Sequence, residues 1–190
     1  MESAHSPAGI GASGFVWVAG MLCVIGGVGW AANSLWAAVA GAPEGGAFVI
    51  AEVVWVAIQT LLLIGVVGLA LSGAAPGWFG VIALGVALLG RVDFLVAEMH
   101  SLAIGEESFL LPIGAVITAV GMTLVGISVL RARRWSGWRR YMPLVVGVYP
   151  FVAMFPLIAV MSEPSFLSIA LWGIPWTLLG LAMWSSRGAG

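Results

Sequence analysis

Lysine is absent from this chain, and aspartate, asparagine, glutamine and cysteine occur once each, as Asp93, Asn33, Gln59 and Cys23. Only 8% of the 190 residues are charged. Each shortage removes a class of function. A single cysteine forms no intrachain disulfide and gives thiolate-metal or redox chemistry little footing. The two histidines, His5 and His100, are too far apart in sequence to suggest a paired haem or zinc site. GGVG at 26–29 has the look of a nucleotide loop, but it lies inside an apolar run with no strand before it. No metal, nucleotide or other cofactor is therefore expected.

What fills the chain is hydrocarbon: 62% of residues are hydrophobic and the mean hydropathy is +1.12. Roughly 20 apolar residues in a helix cross a bilayer core. In lipid, only helices or closed barrels satisfy every backbone N–H and C=O. The apolar runs are continuous and do not alternate, so helices are predicted. The reading is an all-α, polytopic membrane bundle, one domain over residues 1–190, with transmembrane helices at about 14–36, 47–72, 78–100, 107–130, 142–161 and 165–184. Turn chemistry separates them at GAPEGG (41–46), SGAAPG (72–77) and SEP (162–164). The first residues, MESAHSPAGIGASG, carry Glu2 and no basic group, so no cleaved secretory signal is expected.

All seven basic residues are arginine, which with abundant glycine, alanine and valine points to a GC-rich bacterial genome and hence to the cytoplasmic membrane. Five arginines (131, 133, 134, 139 and 140) sit in RARRWSGWRR, and Arg187 follows the sixth helix. The positive-inside rule places both segments in the cytoplasm. Both termini are then cytoplasmic, and Glu44, Glu106, Glu107 and Glu163 lie on the outer side. The arginine run reads as an orientation signal meeting anionic lipid headgroups; nucleic acid is not an expected partner. No internal repeat aligns helices one to three with four to six, and the sequence leaves the oligomeric state open.

Small residues mark packing faces: Gly114, Thr118 and Gly121 on the fourth helix, and Ala19, Cys23 and Gly26 on the first. Pro150 and Pro156 interrupt the fifth helix and Pro175 the sixth, each removing a backbone donor. Near these breaks stand Tyr149, Trp172 and Trp176, the tryptophans one turn apart and too deep to serve only as interface anchors.

The single Asp, Asn and Gln all fall within predicted spans. A charge at the bilayer centre costs about 2.5–3.5 kcal/mol on insertion scales, so such residues face protein or water and mark function by default. On the second helix, Glu52, Trp55 and Gln59 share a face. On the third, Arg91 shares a face with Glu98, and Asp93 with His100; the two stripes differ by about 200° at roughly 100° per residue. Neither stripe belongs in lipid, which predicts a central position for helix three. Estimated depths of about 8 Å for Glu52, 10 Å for Asp93 and 13 Å for Arg91 predict an Arg91–Glu52 pair with Asn33 and Gln59 nearby. Asp93, with the nearby arginine so engaged, is left as a buried acid that favours its neutral form.

These residues suggest a membrane enzyme acting by acid–base chemistry on a lipophilic substrate. Asp93 is the proposed acid and Glu52 or Glu98 the second carboxyl; Trp55, Tyr149, Trp172 and Trp176, with Asn33, Gln59 and Arg91, would form the binding site. Aromatic faces stabilise cations, which suits protonation of an alkene or epoxide. In size and general arrangement the chain resembles the small integral-membrane terpene cyclases, without a shared motif. That resemblance implies an isoprenoid substrate and protonation-initiated cyclisation or isomerisation. Two other readings stay open: a proton-coupled transporter or channel switching on Asp93, and an accessory or sensory subunit whose polar residues bind a partner's helices.

Overall fold

The computed structural model describes residues 12–41, 43–161 and 165–185. Glu2, His5, Glu163, Arg187 and the SEP turn lie outside the described residues, so the expectations placed on them are not addressed. The described chain is all-helical: α1 (Ala12–Ala40), α2 (Gly46–Leu71), α3 (Gly77–Ile104), α4 (Leu111–Ala132), α5 (Met142–Tyr149), α6 (Phe155–Met161) and α7 (Phe166–Trp184). A π-helical turn, Pro150–Met154, joins α5 to α6, and the two form one composite element. Six helical segments are thus long and apolar enough to cross a membrane.

The ends differ from the sequence expectation for local reasons. α3 runs on to Ile104 and stops at Gly105, whose φ of 75° is a left-handed cap that donates its N–H to Ser101 O. α4 starts at Leu111, later than expected, because Glu106–Leu110 form a loop; Pro112 occupies the first turn, where its missing N–H costs nothing.

Each element packs on its neighbours in the chain, and α7 closes against α1 while also meeting α5. The result is a ring in sequence order. Helix three is therefore not the hub that its two polar stripes suggested. Arg91 and Glu98 on one flank are buried towards α2, and Asp93 on the other flank meets α4 at Gly114. Between the flanks a third stripe, Leu89, Val92, Val96 and Met99, stays exposed. A helix has room for both polar flanks and an outward apolar face, so two stripes do not require a central position.

Close approach is set by small residues, which let helix backbones come together. The expected faces are used: Gly114, Thr118 and Gly121 pack on α3, with Thr118 against Gly90 and Gly121 against Ala87, while Ala19 and Cys23 meet Gly68 and Gly65 of α2. A further glycine seam went unread in the sequence. Gly20 and Gly27 of α1 interlock with Gly180 and Gly173 of α7, and a Cβ on Gly173 would come within 2.4 Å of Gly27 O. Backbone cannot yield there as a flexible side chain could. Gly173→Leu is expected to cost about 1–3 kcal/mol by overpacking, read as a lower melting temperature in detergent. Gly85→Leu, where an added Cβ meets nothing within 4 Å, is expected to leave the melting temperature unchanged. Equal behaviour of the two would contradict the seam.

Candidate functional site

Arg91 stands half-way along α3, about 20 Å from its C-terminal end at roughly 1.5 Å of rise per residue, and is fully buried. Gln59 stands half-way along α2 and is fully buried as well. Equal height brings them together. Arg91 Nη2 donates to Gln59 Oε1, and Gln59 Nε2 donates to Glu98 Oε1 at 2.9 Å. The carboxyl of Glu98 in turn lies within hydrogen-bonding reach of that of Glu52. A polar relay therefore runs from mid-height towards the end of the bundle where Glu44, Glu106 and Glu107 cluster. The expected Arg91–Glu52 pair is replaced by this relay. α3 extends past its expected end, which sinks Arg91 from the level of Glu52 to that of Gln59.

Three rings enclose the guanidinium: Phe94 at 4.9 Å, Trp176 at 5.0 Å and Trp30 at 5.8 Å from Cζ. A desolvated cation–π contact contributes about 2 kcal/mol or more, and a hydrogen bond to a charged group about 1.5–3 kcal/mol. These offset part of the cost of placing an arginine at the centre of a span, while Nε and Nη1 are buried without a hydrogen-bond partner. The aromatic walls are themselves pinned. Pro150 has no N–H for the carbonyl of Val146, one helical turn earlier, and Trp172 Nε1 fills that vacancy at 2.9 Å. Trp30 Nε1 donates to Ile169 O at 2.7 Å and Tyr149 Oη to Ser168 O at 2.8 Å. The proline break thus fixes an indole that faces the site.

Above the relay, on the acidic side, is a cavity of about 380 Å³, within the size of small-molecule sites. Glu52 and Glu98 form its polar wall, and Trp30, Trp55, Phe94, Trp172, Met154, Ile158 and Phe166 its apolar one. The α3–α4 loop supplies Glu107, Ser108 and Phe109. Ser108 staples that loop down: its N–H donates to Ser101 Oγ at 2.8 Å, and its Oγ meets His100 Nδ1 at 3.0 Å. A neighbouring cavity of about 290 Å³ contains Asn33 and shares Glu52, Trp55, Glu107 and Phe166 with the first. On the arginine side the interior closes: Leu62, Val66, Leu69, Met122, Val125, Val129, Leu179 and Met183 are all fully buried.

The structure thus gathers Glu52, Glu98, Trp55 and Trp172 around one cavity, puts Asn33 in the adjoining one, and sets Gln59, Arg91 and Trp176 directly beneath. Tyr149 lies outside the cavity lining as a helix tie. Asp93 lies apart: its Oδ2 is buried without a partner and faces Gly114 across the α3–α4 contact. Sequence reading missed Trp30, Phe94 and the loop residues. Phe94 carried a signal, being one turn from Arg91, whereas the loop depends on a fold-back that has no local signature. Among the described residues no three His, Cys, Asp or Glu side chains gather where they could hold a metal ion.

Compared with known protein families, curated proteins and solved structures, the chain matches none.

Removing Arg91 leaves the carboxyl pair without its counter-charge. Arg91→Met is expected to cost about 3–5 kcal/mol, the penalty for leaving a buried charge unpaired. Arg91→Met with Glu98→Gln removes both charges and is expected to recover much of that loss in thermal unfolding. A double variant no more stable than the single one would contradict electrostatic coupling through Gln59.

Proposed function

We propose that the chain is a multi-pass membrane enzyme that transfers a proton to and from a lipophilic, alkene- or epoxide-bearing substrate of isoprenoid type. One observation carries this reading: a pair of carboxyls, Glu52 and Glu98, is set into the wall of an otherwise aromatic and aliphatic cavity of about 380 Å³. The part that the sequence suggested for Asp93 passes to this pair, since Asp93 does not border the cavity. A carboxyl O–H protonates the substrate, and positive charge develops on carbon between Trp55, Trp172, Trp30 and Phe94, whose faces stabilise it. The substrate then isomerises or closes a ring, and the carboxylate left behind takes a proton from the adjacent carbon to restore an alkene. Proton and electrons balance without a cofactor.

The outward faces support lipid as the surroundings. Ile25, Val28, Val53, Val81, Ile82, Leu89, Val152 and Leu167 are each more than half exposed, a surface that a water-soluble monomer does not present. We place the arginine end in the cytoplasm and the cavity towards the outer face of a bacterial cytoplasmic membrane, with the substrate arriving through the bilayer. A transporter would need a second access route, and the aliphatic packing on the arginine side favours the enzyme reading over it.

Mass spectrometry of small molecules retained by gently purified protein tests the substrate class. An unsaturated lipophile is expected, lost on Trp172→Ala; bulk phospholipid alone would contradict the proposal. With that molecule as substrate, Glu52→Gln is expected to cut turnover about 10²-fold or more at unchanged folding. Orientation is tested by labelling Ser136→Cys with an impermeant thiol reagent, the native Cys23 being buried. Inverted vesicles should label and intact spheroplasts should not, and the reverse pattern would overturn the placement.

A further inference from the structure

We infer that Glu52 is the proton-donating member of the carboxyl pair and that Gln59 is the positioning residue that makes it so. The inference rests on the reading of the pair as proton source and settles which carboxyl plays which part. It begins at Arg91. A guanidinium has donors and no acceptor, so the group facing Arg91 Nη2 on Gln59 must be the amide oxygen, and Gln59 Oε1 occupies that position. The amide can then present only its NH₂ to the next residue, and Nε2 does donate to Glu98 Oε1. Glu98 Oε1 is thereby held as an acceptor, and a donated hydrogen bond with the Arg91 charge behind it favours the carboxylate form at Glu98 over Glu52.

Glu52 has no such donor. It is 6% exposed, its Oε2 is buried without a hydrogen-bond partner, and its carboxyl meets only that of Glu98. Two ionised carboxylates in contact repel and neither donates. A single proton on Glu52 removes the repulsion and supplies the O–H that Glu98 can accept. The charge count then closes along the relay: one guanidinium, one carboxylate and one neutral acid. Glu107, on the loop, is the other acid lining the cavity. Both carboxyls line the larger cavity and Glu52 alone also lines the smaller one, so the proton that Glu52 shares with Glu98 lies at the cavity wall. Gln59 acts through Glu98 and touches neither the cavity nor the substrate.

Carboxyl carbon shifts in solid-state NMR of ¹³C-glutamate-labelled protein, reconstituted in lipid without substrate, test this directly. Glu52 Cδ is expected at the position of a neutral acid and Glu98 Cδ at that of a carboxylate, with assignments from Glu52→Gln or from sequential correlations should a variant fail to fold. Gln59→Leu breaks the directional amide and is expected to move Glu98 Cδ towards the neutral position; a purely structural Gln59 would leave it in place. Reversed shifts, two carboxylates, or an unmoved Glu98 in Gln59→Leu would overturn the assignment. Because no substrate is present, such a result would leave the enzyme reading to its own test, and a retained-lipid failure would leave the proton assignment standing.

Discussion

A permanent positive charge at mid-height of an apolar bundle has to be neutralised from within, and the arrangement around Arg91 follows from that constraint. The guanidinium cannot shed its proton as a carboxyl can take one up, and at the midpoint of α3 it is too far from either end to reach water by extending. Gln59, at the midpoint of α2, passes its hydrogen bond to Glu98, and Phe94, Trp176 and Trp30 close around it. Glu98 then needs Glu52 to be neutral, and the cavity inherits an acid. The proposed chemistry is thus a consequence of how the bundle solves an electrostatic problem.

The same constraint divides the interior. Towards the arginine end, the core is aliphatic and closed. Towards the acidic end, the aromatic rings are large, Trp30 and Trp172 are pinned by hydrogen bonds to backbone carbonyls, and the facing helix is broken by proline. Pro150 frees the Val146 carbonyl and Trp172 takes it, so the break orients a wall of the site while remaining satisfied. The glycine seam between α1 and α7 brings Trp30 and Trp172 into edge contact, with ring centroids 5.2 Å apart. Close helix packing and the burial of a polar site are solved by the same helices.

Much of the scaffold was legible in the sequence because apolar run length and turn residues are local signals. The six helical segments lie where the runs place them, and the packing faces of Gly114, Thr118 and Gly121 are used as read. The polar geometry was legible only by face. Glu52, Trp55 and Gln59 do share one, as do Arg91 and Glu98, but pairing depends on height, and height depends on where α3 ends. The run-on to Ile104 moved Arg91 from Glu52 to Gln59. Asp93 was singled out as the acid left unpaired inside a span, and helical position alone does not say which cavity such a residue borders. Ser108 and the loop it holds were invisible because their contacts join residues across a fold-back.

The most direct test of the central claim is exchange of arginine guanidinium protons with D₂O, followed by ¹⁵N NMR on the protein in lipid. One guanidinium is expected to be protected and shifted by ring currents, with its signal lost in Arg91→Lys, while those of the exposed Arg131, Arg133 and Arg134 exchange rapidly. If every arginine exchanged at the same rate, the enclosed, internally neutralised cation on which the rest depends would not exist.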